Sequence, residues 1–293
     1  IAVEKTGEVF FGVSVSGGID ESGNELPIIY QPQYEKRGLP GAVYEVVAAE
    51  DIITPDGTVR NHKGDVVDTI ITDENGIAMS CELYLGEYEV REVTAPNGMV
   101  LNPESRFVEL VYAGQNVAVT ETATSFENER QKVEISLVKS IEQNERFDIG
   151  TNGEMKNITF GLFSAEEIVS TSGTFIPADG LIEIVSLNED GTATIKTDLP
   201  YGRYYVQEIA TDSHYKLSDA KYPIIFEYVG QDTAVVKIAV NDGKAIKNDL
   251  IYGSVSGKKV DEDGNALGGA MIGLFRTDDG EFTKENALMT TTS

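Results

Sequence analysis

The stretch that decides the fold reads Leu85-Gly-Glu-Tyr-Glu-Val-Arg-Glu-Val-Thr-Ala-Pro-Asn-Gly-Met99. Gly86 opens a β-strand, and the Pro-Asn-Gly turn closes it. Strict alternation places Tyr88, Val90 and Glu92 on one face of that strand, so Glu92 is a carboxylate on the apolar side. Burying an unpaired carboxylate costs several kcal/mol or forces it to take up a proton. Either Glu92 reaches water at the strand end, or the core holds a partner for it.

The same strand recurs further along the chain. Gly202-Arg-Tyr-Tyr-Val-Gln-Glu208 repeats Gly86–Glu92 with the same step from glycine to glutamate. A hairpin turn of the Asn-Gly or Asp-Gly kind precedes each copy, at 73–76 and 188–191. The sequence is therefore built from internal repeats.

Each repeat continues in the same order. A further strand and turn follow, ending at Gln115 and Gln231, and then an asparagine, Asn128 or Asn248. Eleven residues after Asn128, the alternating apolar residues of the next first strand lead to Lys139, and the same distance after Asn248 leads to Lys259. Lys139 therefore falls on the apolar face of its strand.

This order predicts three units: a β-sandwich over 1–128 with an inserted loop at 17–38, a second over 129–250, and the N-terminal part of a third over 251–293. Short strands at regular spacing, separated by Gly, Asn and Asp turns, are typical of β-sandwiches of about 120 residues. The predicted fold class is all-β, with tandem prealbumin-like or Ig-like sandwiches. Very short linkers predict stiff stacking of the units.

Composition excludes several classes of partner. The 293 residues carry a net charge of −26, which disfavours nucleic acid and anionic membranes. No apolar run approaches the roughly 18 residues of a membrane span. Cys81 is alone, and the two histidines, His62 and His214, are far apart, so we expect no disulfide, no metal site and no cofactor. A start at Ile1 suggests an excised or processed fragment.

These motifs resemble the B-type repeats of Gram-positive surface proteins, which include the collagen-adhesin B repeats and the SpaA-type pilin domains. The resemblance rests on a lysine in the first strand, a Gly-Ala-x-(Tyr/Phe) second strand as at Gly41, the Tyr88–Gly98 signature and the terminal asparagine. Tyr204–Ala210 keeps only the first half of that signature. The resemblance implies a prealbumin-like fold and structural modules of adhesins and pili, many of which carry an internal Lys-Asn isopeptide bond.

In the second unit the resemblance implies Lys139 as nucleophile, Asn248 as electrophile and Glu208 as the proton-handling acid. Burial disfavours the charged ammonium form, and a neutral amine is a nucleophile. A buried acid can hydrogen-bond the asparagine carbonyl and move the proton as ammonia leaves. The reaction would be self-inflicted and single-turnover, so we expect no enzyme in the ordinary sense.

The first unit has Glu92 and Asn128, but counting back by strand register places Val13 at the lysine position. Lys5 lies too early by that count, and Lys36 is the reserve candidate. We therefore expect no isopeptide bond in the first unit. In the third unit only Lys259 is visible.

The sequence thus predicts an extracellular, cell-wall-associated stalk or adhesin fragment whose partners are neighbouring modules of the same surface protein. The alternative is a binding module for a host matrix protein or glycan that uses the 17–38 insertion, with Tyr30 and Tyr34 on its surface. An accessory domain of a secreted enzyme is a third, weaker alternative.

Overall fold

A computed structural model describes residues 1–19 and 21–293. The described residues contain no α-helix, only three short 3-10 helices, so the all-β prediction is confirmed. None of their helices is long and apolar enough to cross a membrane. The ordered strands fall into two sandwiches in sequence, followed by one small hairpin.

The first sandwich consists of two facing four-stranded sheets and a small ribbon. Its strands are β1 (Ala2–Ile19), β2 (Glu25–Gly38), β3 (Val43–Ala48), β4 (Ile52–Ile53), β5 (Val59–Asn61), β6 (Val66–Ile71), β7 (Ile77–Met79), β8 (Gly86–Thr94), β9 (Ser105–Leu110) and β10 (Ala123–Asn128). One sheet has the order β10-β1-β2 with β7 also on β1, and the other has the order β6-β3-β8-β9. Strand β1 pairs parallel with β10, which brings the two ends of this module side by side.

The second sandwich repeats this plan. Its strands are β11 (Lys132–Ile141), β12 (Thr159–Ser164), β13 (Ile168–Val169), β14 (Phe175–Ile176), β15 (Leu181–Ser186), β16 (Thr192–Ile195), β17 (Gly202–Ala210), β18 (Lys221–Phe226), β19 (Val235–Ala239) and β20 (Ile246–Asn248). Strand β11 pairs with β16, β19 and β20, while the facing sheet has the order β15-β12-β17-β18. The inward residues of both sheets form one apolar core.

Residues 17–38, expected as an inserted loop, belong instead to a long antiparallel hairpin. Strands β1 and β2 pair from Thr6 and Gly38 out to Ile19 and Glu25, and Asp20 lies outside the described residues. The hairpin extends beyond its own sandwich and reaches the second module. Phe10, Val13 and Tyr30 pack against the core of that module. Such alternating apolar runs favour paired strands over a loop.

An arginine at the junction ties the modules together. Arg130, only 8% exposed, reaches Glu8 at 3.3 Å and also pairs with Asp198 of the second module. Its guanidinium lies 3.4 Å from the ring centroid of Tyr34, a hairpin residue. A buried cation with two carboxylates and an aromatic face is the arrangement that compensates the loss of hydration.

The last segment, 251–293, contributes only a hairpin of β21 (Met271–Leu274) and β22 (Met289–Thr292). Met271, Ile272 and Leu274 stay substantially exposed, so this hairpin has no apolar core of its own.

Candidate functional site: two buried Lys-Glu-Asn clusters

The first module buries Lys5, Glu92 and Asn128 together. Lys5 is fully buried, and its Nζ lies 2.9 Å from Glu92 Oε1. The same Nζ contacts Asn128 Oδ1 directly. The amide nitrogen of Asn128 donates to both glutamate oxygens, at 3.1 Å to Oε1 and 3.0 Å to Oε2. The partner that the lone carboxylate of β8 requires is therefore present.

The second module brings Lys139, Glu208 and Asn248 together in the same way. Lys139 Nζ lies 3.4 Å from Glu208 Oε1, with both side chains fully buried. Asn248 Nδ2 donates to Glu208 Oε1 at 2.8 Å and to Oε2 at 3.0 Å. Within the described residues, Lys139 Nζ and Asn248 Oδ1 are buried without a hydrogen-bond partner. A buried group of this kind is costly unless it reacts or finds a partner.

Strand register makes the two clusters equivalent. Each lysine pairs with the residue two before its asparagine: Lys5 with Phe126, and Lys139 with Ile246. Both lysine amides also donate a 2.7 Å hydrogen bond to a turn glycine carbonyl, Gly76 in the first module and its counterpart in the second. The repeated turns therefore hold each first strand at the same height in its sandwich.

The register count that placed Val13 at the lysine position of the first module is wrong. Val13 lies on the hairpin, where its amide donates to Thr174 Oγ1 at 2.9 Å, whereas Lys5 occupies the equivalent of Lys139. Lys36, the reserve candidate, is 53% exposed and pairs with Glu127 at 2.6 Å on the surface.

Two signals in the sequence could have identified Lys5. The run Ile1-x-Val3-x-Lys5 repeats the alternation that leads through Leu137 to Lys139. Lys5 also precedes Glu92 by 87 residues and Lys139 precedes Glu208 by 69, and the whole difference of 18 residues lies in the segment that holds the hairpin of the first module. The alternation of Val9, Phe11 and Val13 misleads because Val13 packs against the core of the second module and not against that of its own.

Burial dominates the electrostatics of both clusters. Desolvation lowers the pKa of Lys5 and of Lys139, although the nearby glutamate in each case acts in the opposite direction. Tyr44 lies across from Glu92 in the sheet, and burial followed by the charge of Glu92 raises the pKa of its phenol. The lowered lysine pKa values increase the share of neutral, nucleophilic amine.

Sequence reasoning missed the groups that orient each glutamate. The backbone amide of Asn102 donates to Glu92 Oε2 at 2.8 Å, and that of Ser218 donates to Glu208 Oε2 at 3.0 Å. Each donor lies ten residues after its glutamate. A backbone hydrogen bond thus holds Oε2 of each glutamate in place, and Oε1 of the same glutamate faces the lysine amine and the asparagine amide.

Thr211 distinguishes the second cluster from the first, because its Oγ1 accepts a third hydrogen bond from Asn248 Nδ2, at 3.0 Å. Ala95 holds the corresponding position in the first module. The expected contact of the acid with the asparagine carbonyl is not the one observed: Glu92 and Glu208 both face the amide nitrogen.

Lys259, the only candidate in the third segment, is exposed. Its backbone carbonyl accepts a hydrogen bond from Leu267 in a small hairpin-like turn. The side chain does not lie in a core like those of Lys5 and Lys139.

The fold and the two buried clusters define a class of protein: tandem prealbumin-like sandwiches whose first and last strands meet at a lysine and an asparagine. The model of the SpaA prealbumin-like fold domain matches residues 28–125 and 142–244, and the chain belongs to that family. The matched ranges include Glu92 and Glu208 but stop short of the lysines and asparagines. A search of curated proteins gave no match.

Among solved structures, the chain is similar to the Bacillus anthracis TIE protein, at 15% identity and a TM-score of 0.51 over 96% of this chain and 50% of that one. The chain thus spans half the length of that protein. It also matches GBS52, the minor pilin of Streptococcus agalactiae, at 15% identity, 87% and 99% coverage and a TM-score of 0.28. The shaft pilin SpaA of Lactobacillus rhamnosus GG matches at 9% identity, 87% and 99% coverage and a TM-score of 0.26. At these identities the comparison with the TIE protein supports a shared fold and nothing more. The TM-scores of the two pilins are too low to support an argument.

Proposed function

We propose that the chain is a load-bearing stalk segment of a Gram-positive surface or pilus protein, and that both sandwiches form an autocatalytic Lys-Asn isopeptide bond. One observation carries the proposal. In each module a single glutamate oxygen, Oε1, touches both the amine that would lose a proton and the amide nitrogen that would gain one.

The reaction uses only groups of the chain. The neutral amine of Lys5 attacks Cγ of Asn128, and one proton of Nζ passes through Glu92 Oε1 to Nδ2. The new C–N bond forms as the old one breaks, ammonia leaves, and the carboxylate is regenerated. Placement in a folded core replaces an external catalyst, because fixed juxtaposition supplies effective molarities of about 10⁵ M or more.

The second module follows the same path with Lys139, Glu208 and Asn248. Because each bond would join the first strand of a sandwich to its last, tension applied at the two ends would be carried by a covalent strap instead of by hydrogen bonds. The chain has one cysteine, so such bonds would supply the toughness that disulfides give other extracellular proteins.

The cell-wall location and the proposed role in a pilus or adhesin rest on family membership and on this strap geometry. The alternative, a ligand surface on the hairpin, is weakened at two residues. Tyr30 packs against the second core and Tyr34 lies under Arg130, so a host matrix protein or glycan would have to bind the hairpin tip beyond them.

Intact mass of the folded chain tests the proposal. We expect the mass calculated from the sequence minus two ammonia, with peptide mapping locating cross-links at Lys5–Asn128 and Lys139–Asn248. Lys5→Ala and Lys139→Ala should each restore one ammonia, and Lys36→Ala should restore none. A wild-type chain with the full calculated mass, without loss of ammonia, would refute the bonds while leaving the structural role open.

A further inference from the structure

The joint between the two modules shows how one module of this chain docks on the next. Tyr201 and Tyr228, at the near end of the second module, donate to the carbonyls of Gly98 and Met99 at 3.1 and 3.3 Å. These carbonyls belong to the Ala-Pro-Asn-Gly-Met turn at the far end of the first module. The turn therefore contacts the second module through the hydroxyl groups of two tyrosines.

Gln231 supplies the second contact of the joint. Its Oε1 accepts from the amide of Ala95 at 2.8 Å, and its backbone carbonyl accepts from Leu101 at 2.9 Å. In return, Gln131 of the connecting segment accepts from the amide of Val229 at 3.1 Å. Backbone groups of both modules are thus paired across the joint.

The first module has the same strand pairs and turns at the corresponding end of its own sandwich. Strands β8 and β9 pair Gly86 with Leu110, as β17 and β18 pair Gly202 with Phe226. The tight turns that follow also correspond, because Val117 donates to Gly114 as Thr233 donates to Gly230.

This register places four residues of the first module at the joint positions of the second, and together they form what we call the open end. They are Leu85 for Tyr201, Tyr112 for Tyr228, Gln115 for Gln231 and Glu82 for Asp198.

The open end is uncovered in this chain. Tyr112 is 68% exposed and Leu85 47%, and with Glu82 they line a cleft of about 350 Å³ beside Ile1. Exposed apolar side chains around a cleft mark an interaction surface. Glu82 adds a carboxylate where Asp198 receives Arg130 in the existing joint.

We propose that the open end is the receiving half of a second module-to-module joint, and that its occupant is the far end of another prealbumin-like module. The occupant would present an Ala-Pro-x-Gly turn to Tyr112 and Gln115, a cation to Glu82 and a glutamine-like acceptor to the amide of Ala113. The proposal rests on the internal joint of this chain and does not depend on the cross-links.

The test joins a second copy of residues 1–134 directly before Ile1 of the full chain. That spacing places Ile1 where Ile135 stands after the first module, since Lys5 and Lys139 are equivalent. The added copy has its own core, drawn from residues 1–126. Hydrogen exchange at the amide of Ala113 is the readout, because its counterpart Val229 donates to Gln131.

Docking above nine-tenths occupancy should slow exchange at Ala113 by about tenfold or more relative to the unextended chain. Gln131→Ala in the added copy alone should restore the faster exchange at Ala113. Phe107→Ala in the added copy, at an exposed position of β9, is the control and should leave exchange at Ala113 slow. Unchanged exchange at Ala113, with the core amides of the added copy protected, would overturn the proposal.

Should the added copy lack core protection, a backbone-cyclised peptide of residues 93–101 replaces it. The peptide is titrated into the full chain to about millimolar concentration, which is the effective concentration of a partner on a short linker. It should shift the amide resonances of Tyr112 and Gln115, whose counterparts Tyr228 and Gln231 contact residues 95–101. Resonances that stay unshifted across that titration would equally overturn the proposal.

Discussion

Lys5 and Asn128, 123 residues apart in the sequence, contact each other through Nζ and Oδ1 inside a core that excludes water from both. Lys139 and Asn248 lie at the same two positions of the next sandwich. Two copies of one lysine-glutamate-asparagine arrangement within a chain allow each module to serve as the internal control for the other.

Replacing the glutamate whose Oε1 contacts both the lysine and the asparagine should stop the reaction in that module only. We expect Glu208→Gln to retain the ammonia of the second module, because a glutamine amide cannot accept a proton from Nζ and return it. Glu92→Gln should act likewise on the first module. Intact mass and peptide mapping measure both. Cross-linking that survives either substitution would show that the glutamate only fills space.

The strap should stabilise the second module by a large amount. Lys139→Met removes the bond that would close a loop of more than a hundred residues, for which chain entropy suggests about 4–5 kcal/mol. The free energy of unfolding from denaturant titration measures the loss. Lys36→Ala, which breaks only the exposed pair with Glu127, should cost about 1 kcal/mol or less. Equal effects of the two substitutions would contradict a covalent strap.

A module that cannot react should reveal its buried lysine through pH. In Asn248→Ala, Lys139 stays an amine whose pKa in the folded state lies below its ordinary value of 10.5. The unfolded chain then binds more protons between those two pKa values. The stability of the folded state therefore rises as pH increases toward 10.5.

The matched measurement compares Asn248→Ala with Asn248→Ala/Lys139→Met from pH 7 upward, so that the tyrosines and other groups cancel. Glu208 and Asp249 are the charged groups that favour the ammonium form of Lys139. The stability of Asn248→Ala relative to the double variant should increase steadily with rising pH. A flat difference would mean that burial does not lower the pKa of this lysine.

The junction should make the two modules unfold together. Arg130→Ala leaves Asp198 and Glu8 without their cation and Tyr34 without its cover. The cost should stay below the roughly 3–5 kcal/mol typical of a fully buried pair, because Asp198 is 36% and Glu8 53% exposed. Calorimetry should resolve two transitions where the wild-type chain gives one. Arg91→Ala, which breaks a more exposed pair with Glu45, should keep the single transition.

The sequence alone determined the all-β class and the repeat. Alternation along β8 and β17 requires glutamates on the apolar face, and the recurring turns fix the order of strands around them. Both properties depend on neighbours a few residues apart, so local periodicity is enough to predict them. The matching of Glu208 with Asn248 was predictable for the same reason, since the step from glutamate to asparagine differs by only four residues between the modules, 36 in the first and 40 in the second.

Only the tertiary structure decided which lysine meets Glu92 and what residues 17–38 do. Val9, Phe11 and Val13 alternate like a core strand, but this part of β1 lies beyond its own sandwich, and the neighbouring Phe10 and Val13 pack against the next module. Alternation shows that a side chain is buried, and it carries no information about which core buries it. The pairing of Lys5 with Phe126 depends on parallel register between strands more than a hundred residues apart, and that register is set by packing across the whole sandwich.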